Sequence, residues 1–200
     1  MIVIGLTGSI AMGKTTIARL FAEEGVPVFD ADVEVHRLYA KGGAAVERIA
    51  SIAPEAIIDM GVDRSVLSRM IRKDQTLLPK IEALVHPLVS EARDAFLQRA
   101  MEQGRQAALL DIPLLFETGR ESLVDVIVVV SAPLAVQRAR ALSREGMTKE
   151  KFEAILARQM PDTDKRARAD FVIDTNKGLD AARGRVQDIC AELIDGASDA

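Results

Sequence analysis

The chain has 200 residues, of which 48% are hydrophobic, so it can bury a sizeable core and is not an intrinsically disordered segment. Only 4% are aromatic, so aliphatic side chains must carry the packing, and a formal net charge of −4 argues against a nucleic-acid binder that works by bulk electrostatics. Any polyanion is expected in a local positive site, and the one cysteine, Cys190, allows no internal disulfide and points to a reducing compartment.

In chain order the predicted elements are strand Ile2–Leu6, helix Thr15–Glu24, strand Val26–Phe29, helices Ala44–Ile52, Ser65–Arg72 and Leu78–Gly104, and strand Ala107–Leu110. Strand Val126–Val130, helices Pro133–Arg144 and Lys149–Gln159, strand Phe171–Ile173 and helix Leu179–Ile194 follow, before a small polar tail, Gly196–Ala200, expected to fray. Several strands are apolar without alternation, as a parallel sheet covered on both faces requires. Strands alternating with helices imply an α/β fold with a doubly wound, five-stranded parallel sheet. The strand spacing is uneven. It implies a core of residues 1–32, 105–132 and 169–196, a helical insertion at about 33–104, and a second, basic one at about 133–168. Inserted helices over a phosphate site are how kinases hold acceptors and close lids.

The apolar start, Met1 to Met12, lacks the basic flank of a secretion signal, and Val124 to Val130 is too short to span a bilayer. A cytoplasmic protein with neither a membrane nor a nucleic-acid partner is expected.

Gly8-Ser9-Ile10-Ala11-Met12-Gly13-Lys14-Thr15 fits G-x-x-x-x-G-K-[ST], with a predicted strand leading in and a helical period leading out. Gly8 and Gly13 let the backbone turn so that successive N–H groups point at phosphate oxygens, and the helix adds its N-terminal dipole. Lys14 brings a point charge to the β and γ oxygens, and the Thr15 hydroxyl can ligate Mg²⁺. Alone, the motif implies a nucleoside triphosphate and no particular reaction. It places the sheet in the P-loop NTPase type.

Asp30-Ala31-Asp32 closes the second strand at the carboxyl end of the sheet, where ligands bind in this architecture. If the strand continued, both acids would face one side, and either could accept an acceptor proton or merely cap the next helix. Asp111 ends the third strand either as a Walker-B-like acid or as a turn residue. Arg138, Arg140 and Arg144 fall in one helical pattern, with Arg140 and Arg144 spaced i, i+4, and Arg158, Lys165, Arg166 and Arg168 follow. A guanidinium there can neutralise a phosphoryl group in flight, or most of these residues can form a solvated face with Glu145, Glu150 and Glu153. Position favours Arg140 and Arg144 alone. His36 and His86 have no partner at metal-ligand spacing, and His86-Pro87 is expected to interrupt the long helical stretch, with Pro87 starting a new helix.

Gly5-Leu6-Thr7-Gly8 into the P-loop, Asp30-Ala31-Asp32, His86-Pro87, Asp111-Ile112-Pro113-Leu114-Leu115-Phe116-Glu117, the Gln159 region and Ala169-Asp170-Phe171-Val172-Ile173-Asp174 together resemble the dephospho-CoA kinase family over nearly the whole chain. The resemblance implies transfer of the ATP γ-phosphoryl group to the ribose 3′-hydroxyl of dephospho-CoA, the last step of coenzyme A synthesis, with ATP and Mg²⁺. It implies Asp32 as base, Lys14 and Arg140 at the phosphates, and Thr15 on the metal. Gly8, Ser9, Ile10, Ala11, Met12, Gly13, Lys14, Thr15 and Thr16, with Arg144, would bind ATP. Asp32, His86, Pro113, Leu114, Leu115, Phe116 and Glu117 would line the acceptor side. The family usually places Asn after Ile-Asp, whereas Thr175 precedes Asn176 in this chain. A shikimate or gluconate kinase would be a rival, but Ile112-Pro113-Leu114 stands where shikimate kinases carry a Gly-rich run. A GTPase would need Asn-Lys-x-Asp, and Asn176-Lys177-Gly178-Leu179-Asp180 is one residue too long. A silent nucleotide-binding scaffold would not need Lys14, Thr15 and Asp32 intact.

Overall fold

The structure, a computed structural model, describes residues 1–195; the expected fraying of Gly196–Ala200 lies outside the described residues. Five strands form one sheet: β1 (Ile2–Thr7), β2 (Val28–Asp30), β5 (Ala107–Asp111), β6 (Val126–Ser131) and β7 (Phe171–Asp174). Their order is β2-β5-β1-β6-β7, and β1 pairs in parallel with β5 and β6, as β6 does with β7. This is the α/β architecture expected from the sequence. Every residue of β5 is buried, which explains its unalternating sequence.

Helix α1 (Lys14–Glu23) leads from β1 toward β2. The apolar run predicts a second strand from Val26, but the observed one begins at Val28. Helix α1 closes through left-handed Gly25 (φ 84°), and the Val26 N–H is spent on the Phe21 carbonyl at 3.1 Å. The principal core of this part joins Ile4, Leu6, Ile17, Leu20, Phe21, Leu109, Val128, Val130 and Ile173 to Val186 and Ile189 of helix α9 (Leu179–Asp195). Helices α6 (Leu134–Leu142), α7 (Lys149–Leu156) and α8 (Asp162–Ala167) lie between β6 and β7. The sequence reading missed α8, a six-residue helix whose mostly polar sequence carries no apolar period.

The chain divides into two compact units, Met1–Phe29 with the chain from Ala100 on, and Asp30–Arg99. The second unit holds α2 (Ala31–Tyr39), α3 (Val46–Ala50), a short antiparallel hairpin of β3 (Ile57–Ile58) and β4 (Gly61–Val62), α4 (Arg64–Lys73) and most of α5 (Leu77–Glu102). It has its own core, in which Leu38, Ile49, Ala56, Leu67, Ile81 and Val85 pack together. Helix α2 and the hairpin were not predicted. Helix α5 runs unbroken through Pro87, contrary to the expected interruption. Proline removes one backbone donor and crowds the preceding turn, but Val85 and Leu88, on either side of it, are both anchored in the core. Among the described residues no helix is long and apolar enough to cross a membrane.

Candidate active site: the phosphate cradle and its lid

The cradle begins where β1 ends. A Cβ on Gly8 would sit 2.6 Å from the Val130 carbonyl oxygen, so only glycine lets the loop pass over β6. Ala11 (φ 61°) and Gly13 (φ 98°) are both left-handed, and they turn the chain around a concave centre. Gly13 is the residue before α1 and supplies no side-chain cap, so the first turn keeps its backbone donors available. The amides of Ala11, Gly13, Lys14 and Thr15 donate to no group among the described residues. A cavity of about 640 Å³ is lined by Gly8 through Thr16, with Pro113, Leu114, Arg144, Ile155, Arg158 and Gln159. Amides without a partner at a helix start suit a phosphate chain.

Lys14 forms an ion pair with Asp111, which is only 5% exposed at the end of β5. Burying that carboxylate demands a cation nearby, so the pair holds Lys14 at the carboxyl edge of the sheet. The acid that could have been a turn residue is a buried partner of the cradle lysine. Thr15 and Thr16 are exposed in the first turn of α1, whereas Ser9 is buried and its Oγ has no partner among the described residues.

The arginines of the segment that carries α6, α7 and α8, labelled the lid from here on, divide. Arg144 and Arg158 line the cradle cavity. Arg140, expected at the phosphates, instead donates to Thr175 Oγ1 at 2.7 Å and to the Thr175 carbonyl at 3.0 Å. The i, i+4 face shared by Arg140 and Arg144 in the sequence does not form, because α6 ends at Leu142 and Arg144 lies beyond its cap, Ser143. Thr175 Oγ1 also lies 2.8 Å from the Met12 carbonyl, so the residue at the family's usual asparagine position ties α6 to the cradle. Arg140 lines a separate cavity of about 350 Å³ with Gly13, Thr16, Thr175 and Gly178. Arg158, left on the solvated face in the sequence reading, is the residue that reading missed. Its neighbour Gln159, already part of the family-like pattern, was the available signal.

The run after β5 also splits. Pro113 and Leu114 line the cradle cavity, whereas Leu115 and Phe116 are 0% and 6% exposed. Glu117 turns into the lid: its Oε1 accepts from the Met160 N–H at 2.8 Å and lies 2.8 Å from Nζ of the fully buried Lys165. Burial pushes the Glu117 carboxyl up, but the adjacent Lys165 ammonium and backbone hydrogen bonds outweigh it and hold the group below its ordinary value.

Within the second unit, Asp30 caps α2 by accepting from the N–H groups of Asp32 at 2.8 Å and Val33 at 3.1 Å. The strand does not continue to Asp32, which lies exposed in the first turn of α2 with no partner for its carboxylate among the described residues. His86 is exposed on α5 and lines a cavity of about 270 Å³ with Tyr39, Arg64, Leu67, Ile81 and Val85. Burial raises the Tyr39 hydroxyl's pKa, and the nearby Arg64 charge opposes that shift.

The profile of the family described as dephospho-CoA kinase (CoaE) matches residues 2–181. The chain is 56% identical over 193 residues to the dephospho-CoA kinase of Agrobacterium fabrum, covering 96% of this chain and 98% of the relative. It is 53% identical over 193 residues to that of Mesorhizobium japonicum, covering 96% and 97%. A crystal structure from Thermus thermophilus superposes with a TM-score of 0.80 at 35% identity, covering 96% of this chain and 97% of that one.

Proposed function

The chain belongs to the dephospho-CoA kinase family, and we infer that it transfers the γ-phosphoryl group of ATP to the ribose 3′-hydroxyl of dephospho-CoA, completing coenzyme A. The observation that carries the chemistry is the cradle itself: uncommitted amides at the start of α1, in a cavity also lined by Lys14, Arg144 and Arg158. Such a site stabilises the negative charge spread over a phosphoryl group in flight.

In our reading Asp32 accepts the proton of the 3′-hydroxyl as its oxygen attacks the γ-phosphorus. A new P–O bond forms there, the bond to the bridging oxygen breaks, and ADP leaves with the electron pair. The unpartnered carboxylate of Asp32 supports this role, since Asp30 is already committed to capping α2. Lys14 would move from Asp111 toward the β and γ oxygens. Arg144 and Arg158 would neutralise the transferred group, while Arg140 holds α6 against Thr175. The Thr15 hydroxyl and the Asp111 carboxylate are hard oxygen donors beside the cradle, a set that fits Mg²⁺. When bound, Mg²⁺ supplies charge neutralisation at the β and γ oxygens. His86, with Arg64 and Tyr39, and Pro113 with Leu114 are the acceptor-side residues in this reading. Both substrates are water-soluble, and we place the reaction in the cytoplasm.

A coupled assay of ADP release tests the reading. Dephospho-CoA should stimulate release strongly, and shikimate, gluconate and nucleoside monophosphates should not. Absence of stimulation by dephospho-CoA removes the acceptor assignment.

A further inference from the structure

Two lid glutamines hold Ile10 of the cradle. The Ile10 N–H donates to Gln159 Oε1 at 3.0 Å, and Gln137 Nε2 donates to the Ile10 carbonyl at 2.9 Å. Gln137 lies on α6 and is 2% exposed; Gln159 follows the end of α7. A primary amide carries both a donor and an acceptor, so each glutamine is turned to the end that its backbone partner needs. The two bonds hold the peptide planes on either side of Ile10, and so fix both of its torsions.

The next plane matters most. In a trans peptide the N–H points opposite to the C=O, so holding the Ile10 carbonyl toward Gln137 aims the Ala11 N–H the other way. Ala11 is left-handed, a conformation that residues with a Cβ rarely adopt, and it is buried against Ala141 and Phe152, with Met147 and Leu156 around it. The lid thus supplies both the hydrogen bonds and the apolar packing that keep this turn in place.

We propose that Gln137 and Gln159 are positioning residues for ATP, holding Ile10 and Ala11 so that the cradle amides are already aimed before the phosphates arrive. Dipoles held in place beforehand need no reorganisation when charge arrives. The proposal rests on the cradle being the ATP site and is independent of the acceptor's identity.

The test is ATP titration of the full chain without acceptor, beside steady-state kinetics. Gln159→Leu and Gln137→Leu should each weaken ATP binding about tenfold, the scale of one orphaned backbone group, while the dephospho-CoA KM stays within about twofold. Hydrogen exchange at the Ile10 amide should quicken in Gln159→Leu and slow again in Gln159→Glu, which keeps an acceptor. Because Gln137 is buried, Gln159→Leu carries the test if the other variant does not fold. Unchanged ATP affinity in Gln159→Leu overturns the proposal, as does an equal rise in both KM values or an Ile10 amide indifferent to residue 159. Failure of the cradle assignment would look different, because the parent protein itself would not bind ATP.

Discussion

The charged residues of the unit Asp30–Arg99 and those around the cradle do different kinds of work. In the former they act locally. Asp30, Asp63 and Asp74 each accept from an N–H two residues on, and Arg37 pairs with Glu34 one helical turn away. Hydrogen bonds from Ser65 and Thr76 pull Asp63 and Asp74 below the ordinary carboxylate range. The core and lid hold local pairs too, such as Arg19 with Glu23, but around the cradle the partners are distant: Lys14 and Asp111 are 97 residues apart, Arg140 and Thr175 are 35 apart, and Ser131 and Asp162 are 31 apart. Local pairs stabilise their own helices, whereas distant ones decide where the cradle stands relative to its lid. Asp32, whose carboxylate has no partner among the described residues, fits neither pattern.

Substitutions can break this contrast, and Asp32→Asn should do so most severely. We expect turnover to fall by about two to four decades, the usual scale for a general base, with ATP affinity unchanged. Wild-type turnover in that variant would move the base elsewhere. Asp30→Ala, two residues away, should instead cost about 1 kcal/mol of stability, the worth of one helix cap, readable as a small shift in a urea midpoint.

Next in size is the lid pair. Lys165→Met strands the Glu117 carboxylate and should cost about 3 kcal/mol, the low end for a broken buried pair because Glu117 keeps some contact with water. Pairing it with Glu117→Leu should recover much of that loss, and urea titration of the four proteins measures the coupling. A double variant no better than Lys165→Met would show that the pair is not what binds these segments.

Acid should weaken the same pair. The Glu117 carboxyl is held below its usual 4.5 in the folded protein, so the unfolded chain takes up that proton first on acidification. The pair's contribution is therefore complete above about pH 4.5 and is lost as pH falls through the lower folded value. Glu117→Gln should flatten the stability profile in that acid range. The smallest effect is alkaline. Burial, helped by the Glu24 charge, pushes the Cys190 thiol up from 9.0 to about 11. The folded thiol should react slowly with a disulfide reagent at pH 8, and stability should decline as pH rises from 9.0 toward 11. Rapid labelling of the folded protein would contradict this burial.

How much was legible depended on the range over which each signal acts. The strands were readable because each is a short apolar run. The cradle was readable because its glycines and Lys14 form a contiguous motif. The place of Arg158 in the cavity wall and the contact of Arg140 with Thr175 were not. Whether an arginine faces a cavity or a neighbouring threonine depends on where α6 stops, and no residue near Leu142 announces that end. Leu115 and Phe116 belonged to a family-like run yet sit inside, because the chain after Leu114 turns back into the protein. Pro87 misled for the converse reason: a local helix-breaking rule yielded to core contacts on either side of it.

The cradle, the sheet order's ingredients and the family were thus set by residues adjacent along the chain, where backbone geometry and side-chain chemistry act together within a few bonds. The tertiary structure alone decided which arginines face the cradle, that Glu117 serves Lys165, and that two lid glutamines clasp Ile10. Those outcomes depend on hydrogen bonds and ion pairs between segments far apart in sequence, whose geometry exists only once the sheet and lid have packed.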